Sequence, residues 1–159
     1  MDFNIRFNDN GDTIYSFMDE FLVVCPECSA CARVVPISPE KVSSLFAPRR
    51  VACRKCGFTK DWEGSSLASG TAVDSYFQLP LWLQARCCTE VLWAYNLRHL
   101  CFIEAFVSAL IRERSQDETQ GWRNQSLASR LPKWLQSAKN RKQILKTIEK
   151  LKRSLEQYP

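Results

Sequence analysis

The chain carries a single histidine, His99, two methionines and five glycines in 159 residues. One imidazole leaves almost no material for histidine-rich metal centres or histidine-centred acid–base chemistry. No glycine-rich phosphate loop of the Walker type occurs, which excludes a nucleotide-driven motor. No pair of carboxylates stands at a spacing that suggests a reaction. No apolar run reaches the length of a membrane span. The opening Met1-Asp2-Phe3-Asn4 is polar and acidic, without the basic and apolar regions of a secretory signal. The expectation is a cytoplasmic protein that is not an enzyme and does not enter a membrane.

Cysteine, by contrast, is abundant: eight residues. Cys25-Pro26-Glu27-Cys28 is answered by Cys53-Arg54-Lys55-Cys56-Gly57. Two residues between thiolates let a tight turn aim both sulfurs at one ion, and two such turns supply the tetrahedron that Zn²⁺ prefers. The runs entering them, Phe21-Leu22-Val23-Val24 and Arg50-Val51-Ala52, are short and partly β-branched, as β-arms should be. Gly57 stands where a knuckle needs positive φ. Cys25, Cys28, Cys53 and Cys56 are therefore read as ligands of one structural zinc. Four cysteines close the coordination shell, whereas a catalytic zinc keeps one position open. Zinc also offsets the small core that so short an arm can build.

Cys31 leaves an alternative, because Cys28-Ser29-Ala30-Cys31 is also a CxxC. Pro26 suits a knuckle turn and favours Cys25 with Cys28, leaving Cys31 in the outgoing strand. With four cysteines claimed by metal spacing, reduced cytosol suits the chain better than a disulfide framework. Cys87, Cys88, His99 and Cys101 form the one further set from which a nucleophile or second metal site could be drawn. Their plainer reading is a strand and an apolar helix.

The length bounds the answer to one domain, or one domain plus a small ribbon. The fold expected is α+β: an N-terminal zinc ribbon, then a β-hairpin and two main C-terminal helices. Residues 1–20 are an acidic segment in which Phe3 to Phe7 alternates like a strand and Asn8 to Asp12 reads as a turn. Residues 21–64 are the ribbon, 65–75 a small polar linker, and 76–159 the hairpin with the helical domain. Residues 77–86 and 91–95 read as the hairpin strands, turning near Cys88-Thr89-Glu90. Leu97 to Arg114 reads as a core helix capped by Asn96, with Arg112 and Arg114 suiting its C-terminal dipole. Ser115 to Gln125 is a polar loop, and Pro132 separates a short helical turn from the next element. Ala138 to Gln157 is an amphipathic helix with Ile144, Leu145, Ile148, Leu151 and Leu155 on one face. Trp82, Trp93, Trp122 and Trp134 read as core or interface anchors before stacking platforms.

Between Lys133 and Arg153 stand eight basic residues against Glu149 alone. Lys139, Lys142, Lys146, Lys150 and Arg153 fall opposite the apolar face. Such a run neutralises phosphates or, more plainly, keeps a helix solvated. The ribbon adds Arg33, Arg49, Arg50, Arg54, Lys55 and Lys60, with Arg54 and Lys55 inside the knuckle. Two partner classes follow: nucleic acid or a nucleic-acid-processing complex, or one protein partner such as a toxin neutralised by an immunity or antitoxin protein. The acidic first segment set against a basic tail would serve the second by steering.

The strings Phe77-Gln78-Leu79-Pro80-Leu81-Trp82-Leu83, Leu92-Trp93-Ala94-Tyr95-Asn96 and Ser129-Arg130-Leu131-Pro132-Lys133-Trp134 carry a resemblance. Together with the cysteine pairs, the chain from about residue 20 to 155 resembles small bacterial proteins with a transcription-factor-B-type zinc ribbon, sometimes labelled primosomal-helicase-like. The resemblance implies ribbon ligands at Cys25, Cys28, Cys53 and Cys56 and assigns no other functional residue.

Overall fold

In the computed structural model, the structure describes residues 5–38, 40, 44–64, 67, 71–114 and 126–157. The architecture is α+β. Strands β2 (Phe21–Val24), β3 (Cys31–Pro36), β4 (Arg49–Ala52) and β5 (Thr59–Trp62) form one antiparallel sheet in sequence order. Register pairs Val23 with Ala32 and Val34 with Val51, and all four are buried. The free edge of β2 is covered rather than left open. The Leu22 amide donates to the Tyr95 carbonyl, the Trp82 amide to the Leu22 carbonyl, and Val23 bridges Leu81.

Strands β6 (Leu83–Cys87) and β7 (Glu90–Ala94) form a hairpin whose first strand starts later than the expected residue 77, because Leu81 and Trp82 pair with β2 instead. Its turn residues, Cys88 and Thr89, both have positive φ, 55° and 67°. A two-residue loop matches the strand twist only in this conformation, which is why Asn-Gly usually supplies it. Here two L-residues without that freedom hold it.

Helix α1 (Leu97–Ser108) begins where expected: Asn96 Oδ1 accepts the His99 amide, and its Nδ2 donates to the carbonyls of Phe17 and Glu20. Its end differs from expectation. The helix stops at Ser108, and Ile111–Arg114 is a strand, β8, paired parallel with β1 (Arg6–Asp9). Of the two arginines, Arg112 assists the helix end through tertiary contact, donating to the Phe106 carbonyl, and Arg141 of α4 donates to those of Val107 and Ala109. β1 likewise takes in Asn8 and Asp9, which the sequence assigns to a turn. Phe7 makes the pairing worthwhile, packing edge-on against Phe102 and Phe106 at 5.4 Å.

Pro132 separates α2 (Leu127–Arg130) from α3 (Lys133–Gln136). A 3-10 turn over Ala138–Asn140 leads into α4 (Arg141–Glu156). Ile144, Ile148 and Leu151 are buried, with Leu145 and Leu155 packed against the same core. α4 lies on α1 and β6. One buried cluster runs from the four-stranded sheet through the hairpin to the helices, joined where Phe21 meets Tyr95 at 4.5 Å and Tyr76 at 5.7 Å. No helix among the described residues is long and apolar enough to cross a membrane. The polar loop Ser115 to Gln125, with Trp122, lies outside the described residues, as does most of the linker stretch from Ser65 to Gly70.

Candidate metal centre and basic surfaces

The turns after β2 and β4 have the same backbone. In the first, the Cys25 amide donates to the Ala30 carbonyl and the Ser29 amide to that of Cys25. In the second, Cys53 donates to Phe58 and Gly57 to Cys53. The residue after each second cysteine has positive φ, 63° at Ser29 and 79° at Gly57. Space beside Gly57 is open, so conformation and not crowding favours glycine there. Ser29 holds the same conformation without that freedom.

These turns bring Cys25, Cys28, Cys53 and Cys56 together, with all four sulfurs within 4.8 Å of one another. Cys25 Sγ lies 3.6 Å from Cys56 Sγ, and Cys28 Sγ 3.6 Å from Cys53 Sγ. Sulfurs placed about 2.3 Å from a central ion form a tetrahedron with edges of about 3.8 Å, so the set fits a metal ion. Burial opposes ionisation of Cys53, but the amides of Cys56 and Lys55 donate to its sulfur, and the thiol is pulled down to about 7. The Phe58 amide favours the Cys56 thiolate, yet burial and the other three cysteines outweigh it and push that thiol up to about 12. Four thiolates cannot coexist at this distance unaided, and a divalent cation removes the conflict.

Cys31 is not in the group. It opens β3, half-buried, and burial pushes its thiol up to about 11. The sulfurs that converge are thus those of Cys25 and Cys28 with Cys53 and Cys56. Cys87, Cys88, His99 and Cys101 do not assemble into a metal site among the described residues. Cys101 is exposed on α1, and the His99 ring is 1% exposed, its Nδ1 accepting the Tyr95 amide at 3.0 Å.

The basic set of the ribbon is smaller than its sequence suggests. Arg49 is fully buried over the Tyr76 ring and donates to the carbonyls of Met18, Asp19 and Ser44. Arg50 forms a fork with Asp61, and Arg33 pairs with Glu20. Arg54 and Lys55 are exposed at the knuckle. They line a cleft of about 780 Å³ bounded also by Leu155 and Gln157 at the end of α4.

Along α4, Lys142, Lys146, Lys150 and Arg153 are all exposed. At about 100° per residue they span roughly 80° of arc, nearly opposite Ile144, Ile148, Leu151 and Leu155. Lys139 is exposed in the preceding turn. Arg153 pairs with Glu149 at 2.6 Å, and Lys152, off this arc, pairs with Glu104. Three acids of the first twenty residues are also engaged. Asp9 is buried and accepts from Ser126, Asp19 pairs with Arg98, and Glu20 with Arg33.

Asp74 had no signal beyond its place in a polar stretch. It is fully buried, and its carboxylate accepts the amides of Tyr76, Phe77 and Leu79. That clamp sets the chain's course into Pro80 to Trp82, the segment that covers β2. Comparison with models of protein families, with curated proteins and with solved structures gives no match.

Proposed function

We propose that this protein is a non-enzymatic zinc-ribbon module that binds the phosphate backbone of nucleic acid, alone or within a nucleic-acid-processing complex, in the cytoplasm. The observation that carries this reading is the basic face of α4, where Lys142, Lys146 and Lys150 are exposed with no acidic partner among the described residues, and the acid beside them, Glu149, pairs with Arg153. Stability alone would favour the opposite arrangement at one end. The N-terminus of a helix is its positive pole and is stabilised by acids, yet α4 has no acid in its first turn and is entered through Lys139, Arg141 and Lys142. Cations at a positive pole concentrate the potential that attracts phosphate.

When bound, zinc would fix the two knuckles by closing a four-thiolate shell. Cys25, Cys28, Cys53 and Cys56 hold it, and the second knuckle presents Arg54 and Lys55 as a further contact beside the end of α4. The resemblance to small bacterial proteins with a transcription-factor-B-type ribbon is in keeping with this reading. A protein partner, such as a toxin met by an immunity or antitoxin protein, would draw on the acidic first segment. Asp9, Asp19 and Glu20 are already engaged internally, which favours the phosphate reading.

A mobility shift with mixed DNA and RNA at low and moderate salt tests it. Affinity should fall steeply with salt, and each of Lys142→Ala, Lys146→Ala and Lys150→Ala should flatten the log–log slope by about one. No binding at low salt, or binding indifferent to reversal of these charges, would hand the case to a protein partner.

A further inference from the structure

A cavity of about 430 Å³ opens between the 3-10 turn at Ile14–Phe17, strand β7, helix α1 and the α2–α3 segment. Its volume lies within the roughly 300–1,000 Å³ common for ligand sites. Tyr15, Trp93 and Trp134 supply aromatic surface, and Ile103 and Leu131 aliphatic surface. The mouth is open at Tyr15, 58% exposed, and Val91, 41% exposed.

His99 stands on the wall with the polar Thr13 and Arg130. Its Nδ1 accepts the Tyr95 amide, so the neutral ring carries its proton on Nε2. No hydrogen bond among the described residues uses that N–H. Burial holds the ring neutral, its pKa pushed down to about 4, so the donor is present at neutral pH.

We propose that this cavity receives a single unstacked nucleobase, its face against the indole of Trp93 or Trp134 and an acceptor on its edge taking the His99 Nε2–H. The proposal rests on the phosphate-binding reading and narrows it to single-stranded nucleic acid. Charge complementarity supplies the reason for a base over another flat ligand. Lys133 is exposed between Pro132 and Trp134, which both line the cavity, and Lys139 follows at the start of the basic face. A strand whose phosphates follow these lysines has its bases within reach of the mouth. A base paired in a duplex cannot enter, whereas one in a single strand can be splayed out and stacked.

The test uses the full metal-loaded chain. Adenosine and cytidine, which carry no phosphate, are titrated at millimolar concentration while tryptophan fluorescence and saturation-transfer NMR are followed. A short single strand and its duplex are then compared by anisotropy. The proposal expects fluorescence quenching by nucleosides that is independent of salt. It also expects the single strand to bind about tenfold tighter than the duplex. Trp134→Ala and His99→Asn should remove that preference while duplex affinity stays unchanged. Tyr15→Ala, at a mostly exposed side chain, should weaken it without threatening the fold. Equal affinity for both forms with no response to nucleosides overturns the proposal and leaves the phosphate reading standing. Nucleoside binding without any oligonucleotide binding at low salt supports the cavity and ends the phosphate reading.

Discussion

The neutral His99 ring should make this protein acid-sensitive in a defined window. In the unfolded chain the imidazole takes up a proton below pH 6.5, its ordinary value, while in the fold burial pushes its pKa down to about 4. Its contribution is therefore complete above pH 6.5 and is lost as pH falls toward 4. Between those limits the unfolded state binds the extra proton, so stability rises with pH. The gap is worth about 3 kcal/mol, a large share of a typical 5–15 kcal/mol total. Urea melts at steps from pH 7 to pH 4 would read it, with His99→Asn as the control. An asparagine oxygen can still accept the Tyr95 amide but does not titrate. Cysteine protonation and metal release in acid affect both proteins, so the difference between their curves isolates the imidazole. An NMR titration placing the folded-state pKa of His99 near 6.5, or identical acid losses in the two proteins, would refute the reasoning.

Asp74→Asn should lose about 2–3 kcal/mol in a denaturant melt, because an amide NH₂ then faces one of the backbone N–H groups that the carboxylate now accepts. Thr89→Gly should gain about 1 kcal/mol, since a β-branched residue at φ 67° is replaced by one that adopts that conformation freely. Elemental analysis should give one zinc per chain, and Cys53→Ser should abolish it and lower the melting temperature. Because Phe21 packs on Tyr95 and Tyr76, the change should also disturb the aromatic near-ultraviolet signal of the hairpin side.

The cysteine group was legible because coordination geometry fixes both the spacing within each pair and the need for two pairs. The Ile144 to Leu155 stripe and the Asn96 cap were legible because helices repeat locally and caps act within three residues. Strand β8 was not. Ile111 closes the apolar, helix-period run and Arg112 to Arg114 are helix-compatible, and what makes them a strand is β1, about a hundred residues earlier in the chain. Arg49 is indistinguishable in sequence from its exposed neighbour Arg50. The Tyr76 ring beneath it and the carbonyls of Met18, Asp19 and Ser44 converging on its side chain account for its burial. The place of the Cys88-Thr89 turn was legible, but its positive-φ backbone was not, because strand pairing imposes a conformation that neither residue prefers.

The most direct test of phosphate binding is a map of backbone amide shifts when a short DNA duplex is added to the zinc-loaded, isotope-labelled protein at low salt. A duplex engages phosphates without offering an unstacked base. Shifts should concentrate on residues 139 to 153 of the α4 face and on Arg54 and Lys55, and should collapse as salt is raised. Shifts confined to the hairpin and the Tyr15 turn, or no shifts at all, would contradict the account.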